Sequence, residues 1–254
     1  MSLLPKLRPK LKRRTTLDIG TSFEKHALRY FNDELHMDLR RVGGAGDGGI
    51  DLRGWWWLPR STDSSSGLQD TADGLSREVG IDKLGLKDVR RVRVVAQCKA
   101  EKKSLGPRAV RELEGVMGNL RFRINPNQPL SSSSSTTSLT SDDSFNPEER
   151  DIAILVSQSG FTKSTMQYSA SSNIPLMLVH LPGGRPTDEL SDEQAEEEIE
   201  VKSLWWNRAL SEGVLGDGIE LRKTIGPIGV GVGLWMGGRR VGRCGPGKDG
   251  GLGI

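Results

Sequence analysis

The chain has 254 residues, 36 Lys and Arg against 33 Asp and Glu, a net charge of +3 and only two cysteines. That length accommodates one compact core of about 150 to 180 residues plus insertions. Cys98 and Cys244 provide neither a disulfide framework nor zinc-ligand spacing. No run of 18 apolar residues marks a membrane-spanning helix, and a mildly basic balance permits nucleic-acid binding without demanding it.

Residues 1–17 contain Lys6, Arg8, Lys10, Lys12, Arg13 and Arg14 and no acid. This basic leader fits a mitochondrial targeting segment or a basic arm. From Gly20, apolar residues at 23, 27, 28, 30 and 31 predict a first helix. Glu24 lies in line with Leu28 and Phe31, on the packed side. Thr21 and Glu24 also match a capping box, so Glu24 has two open readings, helix cap and site group.

Met37 to Val42 reads as a short strand, followed by a glycine turn over residues 43–49. Asp47 reads as a turn residue. The next strand carries Asp51; alternation puts Ile50 and Leu52 on one face and Asp51 and Arg53 on the other. Three adjacent tryptophans, Trp55, Trp56 and Trp57, extend it. They cannot all be buried in one strand; one can stack on a base or fill a sheet–helix interface. Residues 61–74 read as a solvated insertion.

Arg91 to Ala100 is the third strand. Val92, Val94, Ala96 and Cys98 share one face, and Arg93, Val95, Gln97 and Lys99 the other. Gln97 and Lys99 are then about 7 Å apart along the strand. If this strand pairs with the one carrying Asp51, a carboxylate stands beside an amide and a lysine. Mg²⁺ or Mn²⁺ takes hard oxygen ligands and keeps several waters. Asp51 supplies one, Gln97 an amide oxygen, and the Cys98 backbone carbonyl a third. Lys99 can orient a water or steady the attacked phosphate. Metal-assisted phosphodiester hydrolysis asks for little more.

Gly106-Pro107 opens a helix whose buried stripe is Val110, Leu113, Met117 and Leu120. Arg108 and Arg111 lie off the stripe and can reach a phosphate or face solvent. Residues 125–147, centred on five serines, read as a disordered insertion. Asp151 to Val156 is a strand covered on both faces. Phe161 to Ser172 is a helix and Ile174 to Leu181 a strand, completing a β-α-β unit. Eight acids within residues 188–200 form a solvated stretch. Leu204 to Leu210 reads as part of a last helix, and residues 237–254, with eight glycines, as a disordered tail.

Gly20-x-x-Phe-Glu24, Gly-Asp-Gly-Gly-Ile-Asp51-Leu and Gln97-Cys-Lys99, in this order, resemble the PD-(D/E)xK nuclease superfamily. The Mrr-type branch, with Gln in the last motif, is most similar. Gln97 in place of an acid lowers the negative charge of the site. The string through Trp57-Leu-Pro59 and Gln97-Cys-Lys-Ala-Glu-Lys-Lys-x-x-Gly-Pro-x-x-Val110-Arg-Glu-Leu-Glu-Gly115 resembles the fungal mitochondrial "required for respiratory growth" protein seven family. The resemblance spans about residues 17–182.

It implies a restriction-endonuclease-like α/β domain over residues 18–182, a mixed sheet of four or five strands flanked by helices. An acidic segment and C-terminal helix follow over 183–236, then the tail. Asp51, Gln97, Lys99 and Glu24 would be the catalytic group, with Mg²⁺ or Mn²⁺ as cofactor and DNA as partner. The implied place is the mitochondrial matrix, in genome maintenance. A second reading stays open, that of a nuclease fold kept as a non-cleaving nucleic-acid or protein-binding module.

Overall fold

A computed structural model describes residues 15–44, 48–59, 89–124, 151–183, 199–216, 218–226 and 229–242. Residues 1–14 of the leader, Asp47, the two low-complexity insertions, most of the acidic stretch, and the tail from residue 243 with Cys244 lie outside the described residues.

Helix α1 (Thr16–Asp33) starts earlier than its apolar pattern predicts. Thr15 caps it: its side chain accepts from the Asp18 N–H, and the Asp18 carboxylate accepts from the Thr15 N–H at 2.9 Å. The capping box is therefore Thr15–Asp18, not Thr21–Glu24, which leaves Glu24 mid-helix. Phe23, Ala27, Tyr30 and Phe31 are buried. At the helix end Asn32 clamps Leu39 through two hydrogen bonds of 3.0 and 3.1 Å, fixing the strand that follows.

β1 (Asp38–Arg41), β2 (Leu52–Pro59), β3 (Val89–Lys99), β4 (Ile152–Ser157), β5 (Leu176–His180) and β6 (Ser203–Trp206) form one sheet in chain order. β1–β2–β3 and β5–β6 pair antiparallel, while β3–β4–β5 are parallel. The sheet is mixed and flanked on both faces, as expected, but has six strands. The sixth is Ser203–Trp206, of which Leu204 to Trp206 is read from sequence as helix. It pairs with the free edge of β5, and a helix (α4, Arg208–Leu210) and a π-helical turn (Ser211–Leu215) begin only after Asn207. Edge pairing, invisible in a four-residue stretch, overrides local pattern there.

Two cores result from alternation. Val92, Val94, Ala96, Ile152, Ile154 and Val156 face α1. Val95, Ala153 and Leu155 face α2 (Pro107–Ile124) and α3 (Lys163–Ala170), meeting Val110, Leu113 and Met117. The predicted α2 stripe and the two-sided burial of β4 are both present.

A second sheet, β7 (Ile219–Gly226), β8 (Gly229–Met236) and β9 (Arg239–Val241), occupies the region expected to be helix and glycine tail. Gly237 and Gly238, at φ 56° and 78°, make the two-residue turn between β8 and β9. Both positions need positive φ, so glycines there specify a hairpin rather than a loose end. Leu221, Val232 and Leu234 join the α1-side core.

Candidate functional site

The site gathers where β1 ends, β2 begins and β3 ends. Gly48 and Gly49 adopt φ 66° and 84°, so the chain turns sharply just before β2. That turn reverses one expectation. Ile50 and Leu52 do not share a face: Ile50 packs in the α2 core and Leu52 in the α1 core. Regular alternation begins only at Leu52, which pairs with Ala96. Asp51 stands at the junction. Its N–H donates to the Ala96 carbonyl at 3.0 Å, and its carbonyl accepts from Val42 and Gly43. β3 and the residues just after β1 thus hold its backbone from both sides.

One Asp51 carboxylate oxygen, Oδ2, accepts from the Cys98 N–H at 2.7 Å. The N–H and C=O of one strand residue point to the same side, so the Cys98 carbonyl also lies on the Asp51 side of β3. The other oxygen, Oδ1, faces Gly43. A Cβ placed on Gly43 would lie 3.3 Å from it and 3.2 Å from Glu24 Oε2. The two carboxylates therefore both lie close to Gly43, where a larger residue would crowd them.

Burial raises the Cys98 thiol well above its ordinary pKa, and the charges of Asp51 and then Glu24 raise it further. Cys98 packs against the α1-side core, in keeping with an inert, largely buried sulfur.

Gln97 is buried, at 6% exposure. Its Nε2 lies against Gly49, 3.1 Å from where a Cβ would stand. Its Oε1 is buried with no hydrogen-bond partner. Lys99 points to the same side of the strand, and its Nζ lies 3.8 Å from Glu112 Oε2 on α2.

Two participants went unread in the sequence. Arg41, the last residue of β1, forms an ion pair with Glu24 and reaches Thr21 Oγ1 at 3.5 Å. Glu112 meets both Lys99 and Arg108, the latter at 3.0 Å. The Arg108–Glu112 spacing of four was a legible helix pair; its meeting with Lys99 was not. Arg108 is thereby engaged, and Arg111 stacks over the Tyr168 ring at 5.0 Å.

The donor set suits a hard cation in kind: a carboxylate, an unpartnered amide oxygen and a backbone carbonyl. It is sparse in charge. Among the described residues no three His, Cys, Asp or Glu side chains gather closely enough to hold a metal ion. A metal here would keep much of its water shell.

A six-stranded mixed sheet flanked by helices makes this an α/β protein, with Asp51 and Gln97 toward the strand ends and Glu24 on the first helix. The family described as "Required for respiratory growth protein 7" matches residues 15–145, and the chain belongs to it. It is 30% identical over 142 residues to the Saccharomyces cerevisiae protein named "Required for respiratory growth protein 7, mitochondrial", covering 50% of this chain and 59% of that one. The chain thus spans about three fifths of that relative's length. A Schizosaccharomyces pombe protein named "Uncharacterized protein C824.03c, mitochondrial" is 32% identical over 106 residues, 41% of this chain and 31% of that one. No solved structure matches. No described helix is long and apolar enough to cross a membrane.

Proposed function

We propose that this chain is a metal-dependent phosphodiesterase of the PD-(D/E)xK kind that cuts DNA in the mitochondrial matrix. Its work on the mitochondrial genome would account for the respiratory growth in its relative's name. The unpartnered, buried oxygen of Gln97 on the strand whose Cys98 N–H anchors Asp51 carries this reading. A buried acceptor left without a donor costs about 1–3 kcal/mol, and a cation at the site would offset that cost.

Asp51, Gln97 Oε1 and the Cys98 carbonyl would hold Mg²⁺ or Mn²⁺. Such an ion, when bound, polarises the phosphate and makes water a better nucleophile. The chain's own part is positioning. Lys99, kept near by Glu112, orients the attacking water and steadies charge on the phosphate. Water adds to phosphorus, the bond to the leaving sugar oxygen breaks, and that oxygen ends protonated. Glu24 acts from behind Asp51.

The test is plasmid cleavage with Mg²⁺ or Mn²⁺ by wild type, Asp51→Ala and Lys99→Ala. Cleavage by wild type and a loss of at least about a hundredfold in both variants is expected. Equal activity in all three would exclude this site.

A second reading is a fold that binds without cutting. It draws on the pairing of Glu24 with Arg41 and of Lys99 with Glu112, which gives ion-pair partners to two of the four groups. Thermal shift on titrating Mg²⁺ separates the readings: stabilisation that depends on Asp51 favours the enzyme, and none favours the binder.

A further inference from the structure

The face of the sheet that bears Gln97 and Lys99 continues over β2 and β1. Register sets its content. Arg40 stands opposite Arg53, and Arg53 opposite Val95; Asp38 stands opposite Trp55, and Trp55 opposite Arg93. The core beneath α2 and α3 draws on β3, β4 and β5 and takes no residue from β1 or β2. Arg40 is exposed, and Arg53 and Trp55 are half-buried.

This face carries an unresolved electrostatic cost. Like charges directly opposite one another destabilise a strand pair, and Arg40 and Arg53 are such a pair. Among the described residues neither side chain makes an ion pair or hydrogen bond. Asp38 stands one row from Arg40 on the same face, and Asp151 is committed to Arg93. Beside the arginines lies an aromatic ring, Trp55, with the Arg91 guanidinium 4.5 Å over it. Cations flanking an aromatic ring on an open sheet form a platform suited to phosphates and an unpaired base. Arg53 is two residues along the chain from Asp51, so the platform begins next to the end of β2 that adjoins the site.

We infer that this face of β1 and β2, which among the described residues takes no part in the α2-side core, binds a single strand of nucleic acid. Arg40 and Arg53 take its phosphates, a base stacks at Trp55, and the strand is led toward Asp51. The inference names the substrate form for the phosphodiesterase reading and rests on it for the strand's destination, not for the binding.

The experiment measures binding of a labelled oligothymidylate of about 20 nucleotides by fluorescence anisotropy, without divalent metal. The parent is full-length Asp51→Ala, so that no cleavage intervenes. Arg40→Gln with Arg53→Gln should weaken binding by about tenfold or more and reduce the salt slope by about 1.4. Trp55→Leu should weaken it by about fivefold or more, while Trp55→Phe keeps most of it. If the double variant folds poorly by circular dichroism, Arg40→Glu alone, at an exposed position, should still weaken binding more than Arg40→Gln.

Variants that bind like the parent would overturn the inference. So would a duplex of equal length competing as well as the single strand. Binding that persists in a wild type unable to cleave would remove the phosphodiesterase reading and leave the platform standing.

Discussion

Strand β3 handles two buried polar side chains on one face in opposite ways. Arg93 is buried and closed: its Nε donates to Asp151 Oδ1 at 2.8 Å and its Nη2 to Oδ2, a two-pronged pair. Gln97, four residues on, is buried and open, with Oε1 unpartnered. The closed pair holds β3 to the start of β4. The amide of Gln97 lies against Gly49, two residues before Asp51, and its oxygen is buried without a partner. An orphaned atom alone does not make a site, since Tyr30 Oη is orphaned too. Tyr30 lies within the apolar α1 core, whereas Gln97 adjoins a loop that presents a carboxylate.

The largest expected effect falls on the closed pair. Arg93→Met leaves the Asp151 carboxylate buried and unpaired, and should cost about 3–5 kcal/mol in chemical denaturation. Arg93→Met with Asp151→Leu should recover most of that loss. A single variant as stable as wild type would show that the contrast between the two ends of β3 is false.

Gln97→Met sharpens the same contrast from the open end. It is of similar volume and removes an unsatisfied oxygen, so stability should hold within about 1 kcal/mol or rise. Any stabilisation by Mn²⁺ seen in wild type should fall. A loss of several kcal/mol on thermal or urea unfolding would make Gln97 a structural residue.

The smallest effect belongs to Tyr30. Burial, and secondarily Glu34, raise its pKa well above the ordinary phenol value. The folded state therefore keeps the proton while unfolded tyrosine loses it at about pH 10. The stability tied to the neutral phenol is full below that value and is lost as pH rises past it. Tyr30→Phe should flatten that decline, read from urea midpoints between about pH 9 and 11. An unchanged slope would place the phenol in water.

Much of this was legible in the chain. The alternation from Val92 to Lys99, the α2 stripe and the apolar run of β4 predicted the faces they occupy, because strand and helix periods are properties of the local backbone. The same alternation put Gln97 and Lys99 side by side. It failed at Ile50, where positive φ at Gly48 and Gly49 resets the phase, and at Ser203–Trp206, where pairing with β5 decides the state. The partners in the site were beyond the sequence altogether. Glu24 meets Arg41 across 17 positions, and Arg93 meets Asp151 across 58. Which charges close upon one another, and which amide oxygen is left open, depends on how distant strands and helices dock. The sequence alone determined residue types and local periods. Only the tertiary structure decided that Asp51 and Glu24 both lie close to Gly43 while Lys99 turns to Glu112, because those distances are set by packing rather than by spacing along the chain.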